Sequence, residues 1–150
     1  MTLSLFLHVL SVVVWVGGMF FAYMALRPVA ASVLEPPQRL ALWAGVFGKF
    51  FPWVWLSVAL ILLTGLHMLI VFGGLAAPHY AMTMLVLGVV MMAIFAHVFF
   101  APYGRLKRAV TAQDWKAGGA ALGQIRRLIG INLSLGLLTI SVVFLGRAFA

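Results

Sequence analysis

Three long stretches of this chain carry no charged side chain, and that limits the fold more than any motif does. Residues 1–26, 50–104 and 128–146 contain no Asp, Glu, Lys or Arg. The turn sequence FGGLAAPHY, Phe72 to Tyr80, divides the middle stretch in two. A helix needs about 20 apolar residues to cross the hydrocarbon core of a bilayer. The uncharged lengths therefore predict four spans, over residues 3–26, 51–73, 80–101 and 128–147. The expected fold is all-α, a single-domain integral membrane four-helix bundle.

Composition points the same way. The chain is 65% hydrophobic and 8% charged, where a soluble domain carries about 25% charged residues. It has no Cys, so disulfides and thiolate metal sites are excluded. The first apolar run lacks an opening Lys or Arg and a small-residue cleavage site, so it reads as a retained helix and not as a leader.

The net charge of +8 would suit nucleic acid if it were clustered on a soluble face. Instead, nine of the ten basic residues lie in two connections, Arg27–Lys49 and Tyr103–Arg127; the tenth is Arg147. Charges placed there set membrane orientation and meet anionic headgroups. With four spans the two connections share one side, which the positive-inside rule makes the cytoplasm. Both termini then face the periplasm, in a multi-pass protein of the bacterial inner membrane. In the first connection Pro36-Pro37 opens a helix, and Leu40, Trp43, Ala44, Phe47 and Phe51 follow at helical spacing. That helix is expected to lie in the interface or to extend the second span. In the other connection Thr111 and Asp114 have capping-box spacing, and Gly118-Gly119 weakens the helix they would start.

The histidines carry the chemistry. His8 falls about 8 Å below the outer end of the first span and His67 about 9 Å below the outer end of the second. Ionisable residues inside a bilayer are expensive and point to function by default. His8 shares a helical face with Ser11, Trp15, Gly18 and Ala22. His67 shares one with Trp53, Ser57, Thr64 and Val71. Both faces are partly small and polar, so both rings are expected to point into the bundle. Two such imidazoles suit the axial positions of a haem b, because bundles build cofactor sites from facing helices. Trp15 would pack the macrocycle edge, Gly17 and Gly18 would make room, and Ser11 or Thr64 would hydrogen-bond the far ring nitrogen. The plain alternative is that each His only satisfies a neighbouring carbonyl or hydroxyl. A second alternative is copper, held by His8 and His67 with His79, Met68 and Met84, since thioether and imidazole suit Cu(I). Deeper in, His97 and Asn132 match in depth and are expected to form an inner polar pair. The only acids, Glu35 and Asp114, lie in connections. No carboxylate pair is available for acid–base work, so any reaction must be carried by a cofactor or metal.

The stretch LHVLSVVVWVGGMFF, with His8 seven residues before Trp15 and then Gly17-Gly18, resembles the first helix of CopD-like membrane proteins. RRLIGINLSLGLLTISV, Arg126 to Val142, resembles the closing helix of their short stand-alone members. The same His-to-Trp spacing is similar to that of HemJ-type protoporphyrinogen oxidases, small four-helix proteins associated with b-type haem. The first resemblance implies copper uptake or tolerance beside a periplasmic copper carrier. The second implies oxidation of protoporphyrinogen. His8, Trp15 and Gly18 fit both, and His79 matches a His near the third helix of the HemJ type, although Ala81 stands where that type has a Lys. The reading that unites these features is a haem b protein doing one-electron redox chemistry near the periplasmic face. It would pass electrons between a membrane quinol and an outside acceptor. A homodimer is compatible with so small a bundle.

Overall fold

The computed structural model describes residues 1–148 and contains four long apolar helices and one short one. Helix α1 runs over Thr2–Val33. Its middle, Ala22–Leu26, is a π-helical turn. Pro28 explains the widening: it has no N–H to offer the preceding turn, and its ring crowds the carbonyl four residues back. The Arg27 side chain covers this weak point. Its Nε donates to the Tyr23 carbonyl at 3.3 Å, and its guanidinium lies 4.2 Å from the Tyr23 ring centre.

Helix α2, Pro36–Val71, starts with prolines in its first turn and ends at Gly73, whose φ of 103° suits glycine. A single 3₁₀ turn at Gly74–Ala76 leads to α3, His79–Phe100. The chain breaks at Ala101, with φ −112° and ψ −85°, because the residue before a proline is pushed out of the helical region. Helix α4, Pro102–Thr111, follows. Helix α5, Trp115–Ala148, completes the bundle. Its N-cap is Asp114, whose Oδ1 accepts from Ala117 N at 3.1 Å. Thr111 belongs to α4 and donates to Lys107 O, so the expected capping box is replaced by a simple Asp cap. Gly118-Gly119 does not interrupt α5.

The four spans are all present, but three helices run well past them. At 36 residues, α2 is about 54 Å long, against about 30 Å of hydrocarbon. The connection Arg27–Lys49 is therefore not a flat interfacial segment: it continues α1 and begins α2. Together with α4 and the start of α5 it builds a helical extension at the end opposite the termini. Leu106 and Ile125 are wholly buried there. Gly118 lets α2 approach α5; a Cβ at that position would sit 3.0 Å from Leu40 Cδ1.

A column of rings joins the extension to the spans. Trp43 meets Phe47 at 5.2 Å, Phe47 stacks on Phe51 at 4.9 Å, and Phe51 meets Tyr103 at 4.9 Å and Phe95 at 5.4 Å. Such pairs add about 0.5–1.5 kcal/mol each beyond their buried area. Large apolar side chains such as Leu63, Ile70, Phe100 and Phe144 are exposed on the outside of the spans, as a lipid-facing surface requires.

Candidate functional site

The polar contacts inside the spans concentrate at the end of the bundle that carries both termini. There α1 and α2 meet along a seam with two hydrogen bonds across it. Ser4 Oγ lies 3.0 Å from His67 Nδ1, and His8 Nδ1 lies 2.9 Å from Thr64 Oγ1. Ser4 and His8 are one turn apart on α1, as Thr64 and His67 are on α2, so the two bonds form adjacent rungs.

Gly65 makes the lower rung possible. A Cβ there would stand 3.3 Å from His8 Cε1, so the ring lies close against the backbone of α2. Thr64 Oγ1 also donates to Leu60 O at 2.5 Å. A hydroxyl has one hydrogen, and a carbonyl only accepts. Thr64 therefore accepts from His8, and His8 carries its proton on Nδ1. Its Nε2 keeps a lone pair. Ser4 Oγ has no such commitment and either donates to or accepts from His67, whose tautomer stays adjustable. The expected choice between Ser11 and Thr64 falls to Thr64, since Ser11 Oγ donates to Leu7 O at 2.7 Å.

The two rings do not face one another across the bundle. His8 is half-buried, but His67 is exposed. The buried line of α2 runs through Phe51, Val54, Ser57 and Thr64, and His67 sits on its shoulder, about 60° round the helix from Thr64. Trp53 and Val71, which share His67's side, are exposed too. Trp15 is buried as expected, yet it packs edge-on against Phe95 with centroids 6.1 Å apart. The room at Gly18 is taken by the Phe50 ring, which a Cβ there would strike.

The inner pair does not form. Asn132 is buried, and its Nδ2 donates to Met91 O at 3.3 Å. Its Oδ1 has no partner among the described residues, and His97 is exposed on α3. His79, the first residue of α3, is exposed, while Met68 and Met84 are half-buried. Topology brings His8, His67, Met68, His79 and Met84 to the same end of the bundle. Among the described residues no three His, Cys, Asp or Glu gather into a metal-holding cluster.

The residues expected to cradle a haem make other contacts here. The elements of the expected cradle, Trp15, Gly18 and the two His rings, are already engaged with Phe95, Phe50, Thr64 and Ser4. Copper as cargo makes smaller demands. An imidazole nitrogen with a free lone pair, braced through its other nitrogen, is a competent ligand for it. Ser4 and Gly65 escape a reading of the sequence alone. The signal for them is the (i, i+4) spacing of Ser4 to His8 and the small pair Thr64-Gly65 at matching depth.

Four long apolar helices, with a two-rung polar seam at one end, define a multi-pass membrane protein. The chain belongs to the Copper resistance protein D (CopD) family, whose model matches residues 44–145. The matched segment contains Thr64, Gly65, His67, Met68, His79, Met84, His97 and Asn132, and it begins after His8 and Trp15. Comparisons with curated proteins and with solved structures return no match.

Proposed function

We propose that the protein handles copper as Cu(I) cargo, receiving the ion at the end of the bundle that carries the termini. The periplasmic side of the bacterial inner membrane is the side that the basic connections favour for this end. The role is copper uptake or tolerance, with a periplasmic copper carrier as donor or acceptor. His8 is the principal ligand and His67 its neighbour, with the Met68 thioether and, at the mouth of α3, His79 and Met84 as outer contacts. One observation supports the reading: the hydrogen-bond relay from His8 Nδ1 to Thr64 Oγ1 to Leu60 O, which puts the ring proton on Nδ1 and so the lone pair on Nε2. Family membership supports it.

The test is Cu(I) titration of the purified protein in detergent against a chromophoric Cu(I) chelator, for wild type and His8→Ala. Binding by the wild type and its loss in His8→Ala are expected. Equal binding by both proteins would refute the ligand assignment, and no binding by either would refute the copper reading. An absorption spectrum of the same sample, before and after dithionite, tests the haem alternative. A Soret band with split visible bands would restore that alternative.

A further inference from the structure

At the end opposite the termini, α4 and α5 border an open groove of about 600 Å³, and copper reception at the seam makes no use of it. Five alanines line it, among them the buried Ala109 and Ala121, and their small side chains leave the space between the two helices. Its basic edge is Arg105 and Arg108 on α4, with Gln124 facing them from α5. Arg105 donates to Gln124 Oε1 across the helix pair. Arg108 reaches back one turn toward Arg105: its Nη1 would lie 3.5 Å from a Cβ at Gly104. Two guanidiniums are therefore turned to the same end of one groove.

The acid of this groove is at the other end. Asp114 precedes Gln124 by ten residues on α5, about 15 Å along the axis, and its Oδ1 caps that helix. Arg105 gives one N–H to Gln124, and a guanidinium has several more to give. Like charges side by side repel. The group that relieves them is an oxyanion, which guanidiniums bind through charge-assisted hydrogen bonds. Depth decides where such an anion comes from. Gln124 lies four residues outside Leu128, where the last uncharged run begins, and so about 6 Å beyond the hydrocarbon. The headgroup layer on each side of the bilayer is about 5–8 Å thick, so Arg105 and Gln124 stand at the level of the lipid phosphates.

We infer that the Arg105–Arg108 end of this groove is a binding site for the phosphate of an anionic phospholipid headgroup. Basic pockets between helices at a membrane surface suit such headgroups. Both arginines donate to the phosphate oxygens, and Gln124 holds Arg105 in place. Asp114 confines the anion to the membrane end, and the alanine floor leaves room for the rest of the headgroup. A zwitterionic headgroup fits less well, because the carboxylate that would take its ammonium is too far along the groove.

Native mass spectrometry of the whole protein in detergent, titrated with phosphatidylglycerol or phosphatidylcholine, tests this. One phosphatidylglycerol per chain should bind more tightly than phosphatidylcholine. Arg105→Ala and Arg108→Ala should each lower that affinity about tenfold, as expected for a lost charge-assisted hydrogen bond. Both residues are exposed, so these changes spare the fold. Lys107 is on the same helix but outside the groove, with its Nζ 4.5 Å from the Tyr103 ring centre. Lys107→Ala should change the affinity less than about twofold, since a charge out of contact is screened by salt. An equal loss in Lys107→Ala would reduce the site to general surface charge and overturn the inference. Equal binding of the two lipids, or undiminished phosphatidylglycerol binding when both arginines are replaced, would overturn it too. Displacement of the lipid by excess inorganic phosphate would show a site for the free ion and overturn the lipid assignment.

Discussion

Thr64 Oγ1 stands 2.9 Å from His8 Nδ1 and gives its own hydrogen to Leu60 O, so one hydroxyl decides which nitrogen of His8 is free. Thr64→Val keeps the shape and removes the acceptor. The stranded Nδ1–H should cost about 1–3 kcal/mol of stability. Cu(I) affinity should fall about 10- to 100-fold, the usual effect of losing a brace behind a metal ligand. Thr64→Ser should restore both. Chelator competition and denaturant titration in detergent read the two effects, and wild-type affinity in Thr64→Val would show that the relay has no bearing on the ligand.

Two glycines separate tolerance from strain. A Cβ at Gly146 would lie 2.6 Å from Tyr80 Cβ, an atom tied to the α3 backbone, so Gly146→Ala must push α3 from α5. A Cβ at Gly18 would strike only the ring tip of Phe50, which is half-buried and can swing aside. Gly146→Ala should cost about 1–3 kcal/mol, and Gly18→Ala clearly less. Thermal unfolding of the two variants in one detergent compares them directly.

The extension has its own core. Leu106 and Ile125 are both fully buried, and truncating either to Ala should destabilise by about 2–5 kcal/mol. Arg105 bonds Gln124 across the same pair of helices, but that contact is exposed, so Arg105→Ala should change stability by no more than about 0.5 kcal/mol. Larger loss from Arg105→Ala than from Leu106→Ala, by denaturant titration, would mean that packing does not hold this end together.

Orientation can be read chemically, because the chain has no Cys. Leu75, highly exposed in the short turn, and Gln113, exposed at the tip between α4 and α5, mark opposite ends. A membrane-impermeant maleimide should label Leu75→Cys in spheroplasts and Gln113→Cys only after permeabilisation. The reverse pattern would place the His8 seam on the cytoplasmic side.

The number and type of helices were legible because uncharged lengths report bilayer thickness directly. Helix ends were not. Arg27, Lys49 and Arg126 mark where lipid stops, and a helix does not stop there when further apolar residues, such as Leu40, Trp43 and Ile125, can pack beyond it. Pro28 looks like a terminator but costs α1 only a π turn, since Arg27 covers the Tyr23 carbonyl. The site divides in the same way. His8 stood out as the one ionisable side chain in its span; depth paired it with His67, and Thr64 was one of two hydroxyls offered for its ring nitrogen, the one the structure places there. The direction of His67 did not, because in a lipid-facing helix the outer surface is as apolar as the inner one. Periodicity then gives no phase, and Trp53 and Val71 misled for that reason. The His97–Asn132 pairing failed likewise: equal depth on two helices says nothing about which way each side chain turns.

Helix α2 runs without a break from Pro36 to Val71, and its two ends carry different parts of the molecule. Leu40 sits in the notch at Gly118, and Thr64 holds the ring of His8. Pro52 lies between them and removes one hydrogen bond of the ladder, yet the helix stays continuous, so the two grips belong to one shaft. Any partner that rolls α2 in its seat at Leu40 rolls Thr64 through a similar angle some 36 Å away and re-aims His8 Nε2 as it does.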